Sequence, residues 1–340
     1  MKKNLTLFFI LIGATIIAGI VFYLKGDETK SAGVVLNDFS IEDTSKVDRI
    51  TIIDVDGRTV DLRRTQGEYL WDLNGKKKAR KDATDLLLKT FRRIGVKGHI
   101  PQTAQENVVR MIAGSGFRVD IYMDQELSKS YLIGTCTQDH YGTYMVLEHG
   151  DGIRSAEPMI MHMDGFTGCL RQRFFTDESE WRFSGIFNYE DLDISRIDLE
   201  NHENPLESFT IKYQGGNNID LHPFDSPEKF PRFDTLAVKN YMLLFKKVHL
   251  ETYNNHLSEN GLDSLSRVNP AFTVKVTDNS GASKKVDLFW KLPTTEQLDY
   301  DGNIMPWDGD RMYGKIMDET VLVQRYTFDP IMQSIRTFLY

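Results

Sequence analysis

Cysteine is scarce in this chain. Two residues in 340, Cys136 and Cys169, are too few for a disulfide framework or for a cysteine-based zinc site, whose ligands come in closely spaced pairs. The sequence favours two buried free thiols. A single bridge in an oxidising compartment is the alternative, because sequence spacing does not say whether the Cα atoms come within the ~7 Å that a bridge needs. The eight histidines include no H-E-x-x-H and no pair at i and i+4, so the local signature of a zinc hydrolase is missing. A G-x-S-x-G nucleophile elbow is also missing, which leaves a serine hydrolase without its usual local sign. Positive charge is not in excess: the net charge is −8, with Lys and Arg spread among acids. No basic field gathers phosphates, and nucleic acid is not an expected partner. Neither a cofactor nor a resident metal is expected.

What is present is enough apolar residue, 41% against 26% charged, to build a real core in a chain longer than one average domain. The longest uncharged run, Asn4 to Leu24, follows Met1, Lys2 and Lys3. At a helical rise of about 1.5 Å per residue it would span roughly 30 Å of hydrocarbon. It closes with Val21, Phe22, Tyr23 and Leu24 rather than small residues, which favours a retained transmembrane anchor over a cleaved signal peptide. Lys2 and Lys3 precede the run, and Lys25 and Lys30 after it are diluted by Asp27 and Glu28. The positive-inside bias then predicts a single-pass inner-membrane protein that contacts lipid through residues 4–24, with its body on the extracytoplasmic, periplasmic side. Residues 25–37, small and polar, read as a tether.

The remainder reads as one module written twice. Phe39-Ser40-Ile41-Glu42-Asp43 with Val47, Arg49, Ile50 and Ile52 returns as Phe187-Asn188-Tyr189-Glu190-Asp191 with Ile194, Arg196, Ile197 and Leu199. Phe91-Arg92-Arg93-Ile94 returns as Phe245-Lys246-Lys247-Val248, and the alternation Phe117, Val119, Ile121 as Phe272, Val274, Val276. Each copy reads as hairpin-linked strands, then a helix, then further strands. A strand is expected over Val47 to Val55, and a helix from an Asp82 cap that carries Leu87, Leu88, Phe91 and Ile94 and closes at Gly95. The second copy offers a helix over Asp234 to Val248. The expected fold class is therefore α+β: the transmembrane helix, then two tandem, duplicated modules of antiparallel sheet with a covering helix, over residues 38–170 and 187–340, joined by residues 171–186.

At Asp139-His140-Tyr141-Gly142-Thr143-Tyr144-Met145, Arg173-Phe174-Phe175 and Asp308-Gly309-Asp310-Arg311-Met312-Tyr313, and over most of the chain after Asn37, the sequence resembles a bacterial envelope family of unknown function. The module of that family also occurs in auxiliary proteins of gliding-motility-type ABC transporters. The resemblance implies an envelope setting and a neighbouring transporter or surface machine. It assigns no residue a catalytic role.

Two groups of residues stand out as candidate binding positions. Asp139, His140, Tyr141 and Tyr144 join an acid, an imidazole and two phenols around a turn, which suits ligand binding or a general base; a packed hairpin turn with Asp139 capping backbone amides is the plainer reading. Arg171, Arg173, Phe174 and Phe175, with Trp181 and Arg182 beyond, form a basic-aromatic patch of the kind found at interfaces, or else the packing seam between the copies. Asp299, Asp301, Asp308 and Asp310 alternate as in a calcium loop, but Gly302 comes too early for one, and an exposed acidic turn is favoured. The expected function is a binding or scaffold protein of the envelope with a protein partner. The alternative is an extracytoplasmic hydrolase built around Asp139 and His140.

Overall fold

Period-two alternation in the strand residues decides the architecture. The computed structural model describes residues 38–150, 154–155 and 157–340, and the chain divides into two units between Phe183 and Ser184. Among the described residues, eighteen strands form three sheets, and the longest helix has 14 residues.

The first unit contains strands β1 (Val47–Asp54), β2 (Thr59–Arg63), β3 (Asp72–Leu73), β4 (Lys77–Lys78), β5 (Ile94–His99), β6 (Phe117–Met123), β7 (Glu126–Cys136), β8 (Thr143–His149) and β9 (Met159–Met163). Helix α1 (Lys81–Arg93) precedes β5, α2 (Gln102–Ser115) follows it, and the short α3 (Glu178–Trp181) comes last. The nine strands run β4-β3-β2-β1-β6-β7-β8-β9-β5, and neighbours are antiparallel. The β1–β2 turn forms because Gly57 takes φ 81° while the Asp54 carboxylate accepts from the amides of Asp56 and Arg58 at 3.0 and 2.9 Å.

Ile50, Ile52, Val119, Ile121, Tyr131 and Ile133 all reach one face and are fully buried. There α1 closes the core with Ala83, Leu87 and Phe91. Phe91 is the hub: its ring lies 5.8 Å from Tyr131 and 6.4 Å from Phe174, and its carbonyl accepts from Ile41 N at 2.9 Å. The buried Tyr131 hydroxyl donates to Phe39 O, and burial pushes its pKa up.

The second unit contains β10 (Gly185–Phe187), β11 (Arg196–Asn201), β12 (Phe209–Tyr213), β13 (Ile219–Pro223), β14 (Val248–His249), β15 (Phe272–Thr277), β16 (Ser283–Trp290), β17 (Arg311–Ile316) and β18 (Glu319–Gln324), with helices α4 (Thr235–Leu243), α5 (Glu259–Ser266) and α6 (Arg325–Phe328). Its main sheet runs β13-β12-β11-β15-β16-β17-β18, and β10 pairs with β14 apart from it. Here Phe245 is the hub, with Phe187 and Tyr241 each 5.4 Å away. Its carbonyl accepts from Tyr189 N at 3.2 Å. Asp234 caps α4 through the amides of Leu236 and Ala237.

Several expectations are corrected. Antiparallel sheet dominates both units, and the helices are few and short, so the α+β class with a leading transmembrane helix does not describe the chain. No helix among the described residues is long and apolar enough to cross a membrane. The segment read as the anchor, residues 4–24, and the tether, residues 25–37, lie outside the described residues, so the single-pass inner-membrane location has no structural support and is set aside. Helix α1 starts at Lys81 with Arg80 at its cap, and Asp82 sits in its first turn, where a carboxylate favours the positive end of the helix dipole. Gly95 does not close that helix but lies inside β5, because Ile94 already turns extended to pair with Met163. Residues 171–183, read as part of a joint, belong to the first unit, where Phe174 and Trp181 are buried in its core.

Because Phe91 joins the helix, the sheet and the 170s segment, Phe91→Ala is expected to destabilise the first unit by about 3–5 kcal/mol. Leu86→Ala, on the exposed side of α1, should change stability by less than about 0.5 kcal/mol. Urea titrations followed by circular dichroism check both; equal effects would contradict this packing.

Candidate functional site

The alternation that fills one face of the first sheet leaves Arg49, Thr51 and Ile53 of β1, Arg118 and Asp120 of β6, Ser130 and Leu132 of β7, and Tyr144, Val146 and Glu148 of β8 on the other. Part of this second face is a charged ladder. Arg49 Nε meets Asp61 at 2.8 Å, and Arg118 Nε meets Asp120 at 2.8 Å. The rest lies under α2, whose Val108 and Ile112 pack with Ile100 and Val146 in a small separate cluster. Only those two of its residues are buried, so α2 is held much more lightly than α1.

A cleft opens on each flank of α2. One, about 490 Å³, is walled by Ile53, Val109, Ile112, Phe117, Leu132 and Val146, with Arg118 and Arg154 among its polar residues. The other, about 740 Å³, is more polar and is lined by Lys97, Asn107, Thr135, Thr137, Asp139 and Tyr144 among others. Asp139 and Tyr144 thus line one cleft. His140 and Tyr141 belong to the same turn but are not among the walls of that cleft.

The 137–142 turn is built for shape. Asp139 accepts from Thr137 Oγ1 and from the Tyr141 amide at 3.0 Å, and Thr137 Oγ1 accepts from Gly142 N at 2.9 Å. The hydroxyl of Thr137, the Tyr141 amide and the nearby Lys97 hold the Asp139 carboxyl below its ordinary pKa, which makes it a poor proton acceptor near neutrality. His140 takes φ 59°, and Lys97 lies 5.5 Å from the Tyr141 ring centroid and donates to the Tyr141 carbonyl at 3.1 Å. Among the described residues no group of three or more His, Cys, Asp and Glu is placed to hold a metal ion, and the Thr137 hydroxyl next to Asp139 is spent inside the turn.

The second cysteine explains how the clefts are bounded. Cys136 at the end of β7 is bonded to Cys169, with Cα atoms 5.6 Å apart across 33 residues, so the free-thiol reading is corrected. Such bridges persist in oxidising compartments. The bridge brings Leu170 and Arg171 onto the sheet: Leu170 N donates to Thr143 Oγ1 at 2.8 Å. Arg171 then donates to Gly134 O at 2.9 Å and to Ser115 O at 2.5 Å, with its guanidinium 4.5 Å from the Phe117 ring centroid. That arrangement satisfies a carbonyl in the last turn of α2 with a cation, which the helix dipole favours.

Arg173 goes elsewhere, to Thr90 Oγ1 at 2.7 Å and over the Phe166 ring at 4.2 Å. Burial lowers the pKa of both arginines. Phe174 packs in the core, and Phe175 stacks on Trp181 at 4.4 Å. The arginine-aromatic group is therefore internal bracing of the first unit, dispersed over three places.

In the second unit the prominent feature is the connection between β16 and β17, residues 291–310. It is an arm with its own framework: the Lys291–Asp308 ion pair at 2.6 Å, with both side chains nearly buried, Trp290 stacked on Trp307 at 6.1 Å, and the Leu298–Ile304 bridge. Leu292, Leu298, Tyr300 and Ile304 stand exposed on it. The acidic turn inside it is self-contained, since Asp299 accepts from the amides of Asp301 and Asn303 at 2.9 and 2.8 Å and from Asn303 Nδ2 at 3.1 Å. Sequence reading missed the arm as a surface because its aspartates draw attention to metal geometry. Its exposed apolar residues, Trp307 among them, were the available signal. The apolar cleft was signalled by Val108, Val109, Ile112 and Ala113, which make α2 apolar on two adjoining flanks.

No protein-family model and no curated protein matches the chain.

If His140 serves only the turn, His140→Gly should leave stability within about 0.5 kcal/mol of the parent, as relief of the left-handed backbone offsets the entropy that glycine gains when unfolded. Gly142→Ala would place a Cβ 2.5 Å from Ile160 Cγ2 and should cost about 1–3 kcal/mol. Thermal melts of the two variants separate these outcomes.

Proposed function

We infer that the protein works by recognition, as a binding or scaffold protein whose second unit offers the 291–310 arm to a protein partner. The observation that carries this reading is the exposure of Leu292, Leu298, Tyr300 and Ile304 together on a connection braced at its base by the Lys291–Asp308 pair and the Trp290–Trp307 stack. Connections longer than about 12–15 residues are uncommon in compact domains and are usually functional. Clustered exposed apolar side chains mark interaction sites, Leu298 and Ile304 here pair directly with each other, and a braced arm loses little freedom on docking. Glu296, Asp299 and Asp301 fall among the apolar residues in sequence, and residues 292–310 contain no Lys or Arg. The matching partner surface is apolar with a basic border. The sequence resemblance points to a transporter-like or surface machine as the source of that partner. The hydrolase alternative has less support, because Asp139 is engaged in shaping its turn.

The test is a photoreactive amino acid placed at Tyr300, with Leu206, also highly exposed in the same unit, as control. Irradiation in cells should give a discrete protein adduct from position 300 and none from 206. Adding Leu298→Asp with Ile304→Asp should weaken it at least ~30-fold, about 2 kcal/mol, as expected for central interface residues. Equal adducts from both positions, or none from position 300, would overturn the reading.

A further inference from the structure

We propose that the apolar cleft on the Val109 flank of α2 is a binding site for an amphipathic carboxylate, with the chain between helix and sheet and the anionic end at Arg118 and Arg154. This site lies in the first unit and does not depend on the arm. At about 490 Å³ the cleft falls in the range that accommodates ligands of drug-like size. Its walls are side chains that the fold leaves unfinished. Val109 is 48% exposed and Val55 53%, although both face a cavity also lined by Ile112, Leu132 and Val146. An apolar chain laid there would cover what the small cluster under α2 leaves open to water.

The charge at the rim has a direction. Arg118 Nη2 and Arg154 Nη2 both reach Glu148, at 3.4 and 3.0 Å, so two guanidiniums converge on one carboxylate. Arg118 is steadied further by Asp120 at 2.8 Å and Ser130 at 3.0 Å. Neither Nη1 atom has an acceptor among the described residues. The acids of the lining are already engaged: Asp54 accepts from Thr176 Oγ1 at 2.6 Å and Arg58 Nε at 2.8 Å, and Glu157 accepts from Gln105 Nε2 at 2.5 Å and lies 3.5 Å from His99. The rim can therefore donate to an incoming anion and has little to offer a cation. Guanidinium groups match a carboxylate in geometry as well as charge. The floor is preformed, because Arg171 fixes Phe117 and the end of α2 and the Cys136–Cys169 bridge fixes the segment that carries Arg171.

The experiment uses the full chain and a photoreactive diazirine analogue of dodecanoate, with the analogous alcohol as comparison, and maps labelled peptides by mass spectrometry. Labelling should concentrate on residues 105–118, be displaced by unlabelled dodecanoate, and fall at least tenfold in Ala113→Trp, which fills the cleft from an exposed helical position. Val109→Trp is the second filling variant, and circular dichroism verifies that each folds. Arg154→Gln should reduce labelling severalfold without moving it. Labelling away from the cleft walls, which besides residues 105–118 include Ile53, Leu132 and Val146, or on the apolar run at residues 4–24, or undiminished labelling in both folded tryptophan variants, overturns the site. Equal labelling by the alcohol overturns the assignment of its charged end.

Discussion

In a strand, neighbouring side chains cannot share a face, and that rule governs everything built on the first sheet. Ile50 and Ile52 of β1 meet Ile121 and Val119 of β6, Val119 in turn faces Tyr131 of β7, and Ile133 continues the same face of β7 opposite Phe117. A slip of one residue in any of these pairings would drive isoleucines into water and Arg49 or Arg118 into the core. Register is thus fixed by burial, and the closing helix has one place to go. Phe91 fills it by touching Tyr131 and Phe174 at once. The second unit obeys the same rule, with Ile197, Leu199, Val274 and Val276 inward and Arg196 and Asp198 outward, paired at 2.8 Å.

Once one face holds the stability, the other is free to vary. In the first unit it carries the Arg118–Asp120–Glu148 ladder and the lightly held α2, which together frame two clefts. Part-exposed ion pairs of this kind contribute little to stability, so their value lies in where they place charge. In the second unit variation appears in a connection instead. The β7–β8 turn of the first unit is short and internally bonded, whereas the β16–β17 connection of the second unit is the long braced arm. Loops held on a rigid scaffold tolerate such variation more readily than the elements they connect.

Much of this order was legible in the residues. The strand expected over Val47 to Val55 runs Val47–Asp54, and the stripe Leu87, Phe91 lies on a helix, because period-two and period-3.6 patterns report burial directly. The overall class was misjudged because long helical stripes attract more notice than the brief strands β3, β4 and β14, which are set by partners distant in sequence. The disulfide was hidden for the same reason: nothing local brings Cys136 and Cys169 together, and the bridge depends on the path of residues 164–170. Arg171, Arg173, Phe174 and Phe175 looked like one patch because they fall within five residues, yet a chain that turns between them sends them to different neighbours. The apolar run at residues 4–24 lies outside the described residues, and among those that are described no helix is long and apolar enough to cross a membrane, so the anchor expected from that run has no support.

The two faces of the first sheet hold their helices with different firmness, and native-state hydrogen exchange measures that contrast most directly. Amides of α1 should open only with global unfolding of the unit, whereas amides of α2 should exchange through a local opening at least ~2 kcal/mol less costly, as expected for an element with few buried contacts. Equal opening free energies for Leu87 to Phe91 and for Val108 to Ile112 would contradict it.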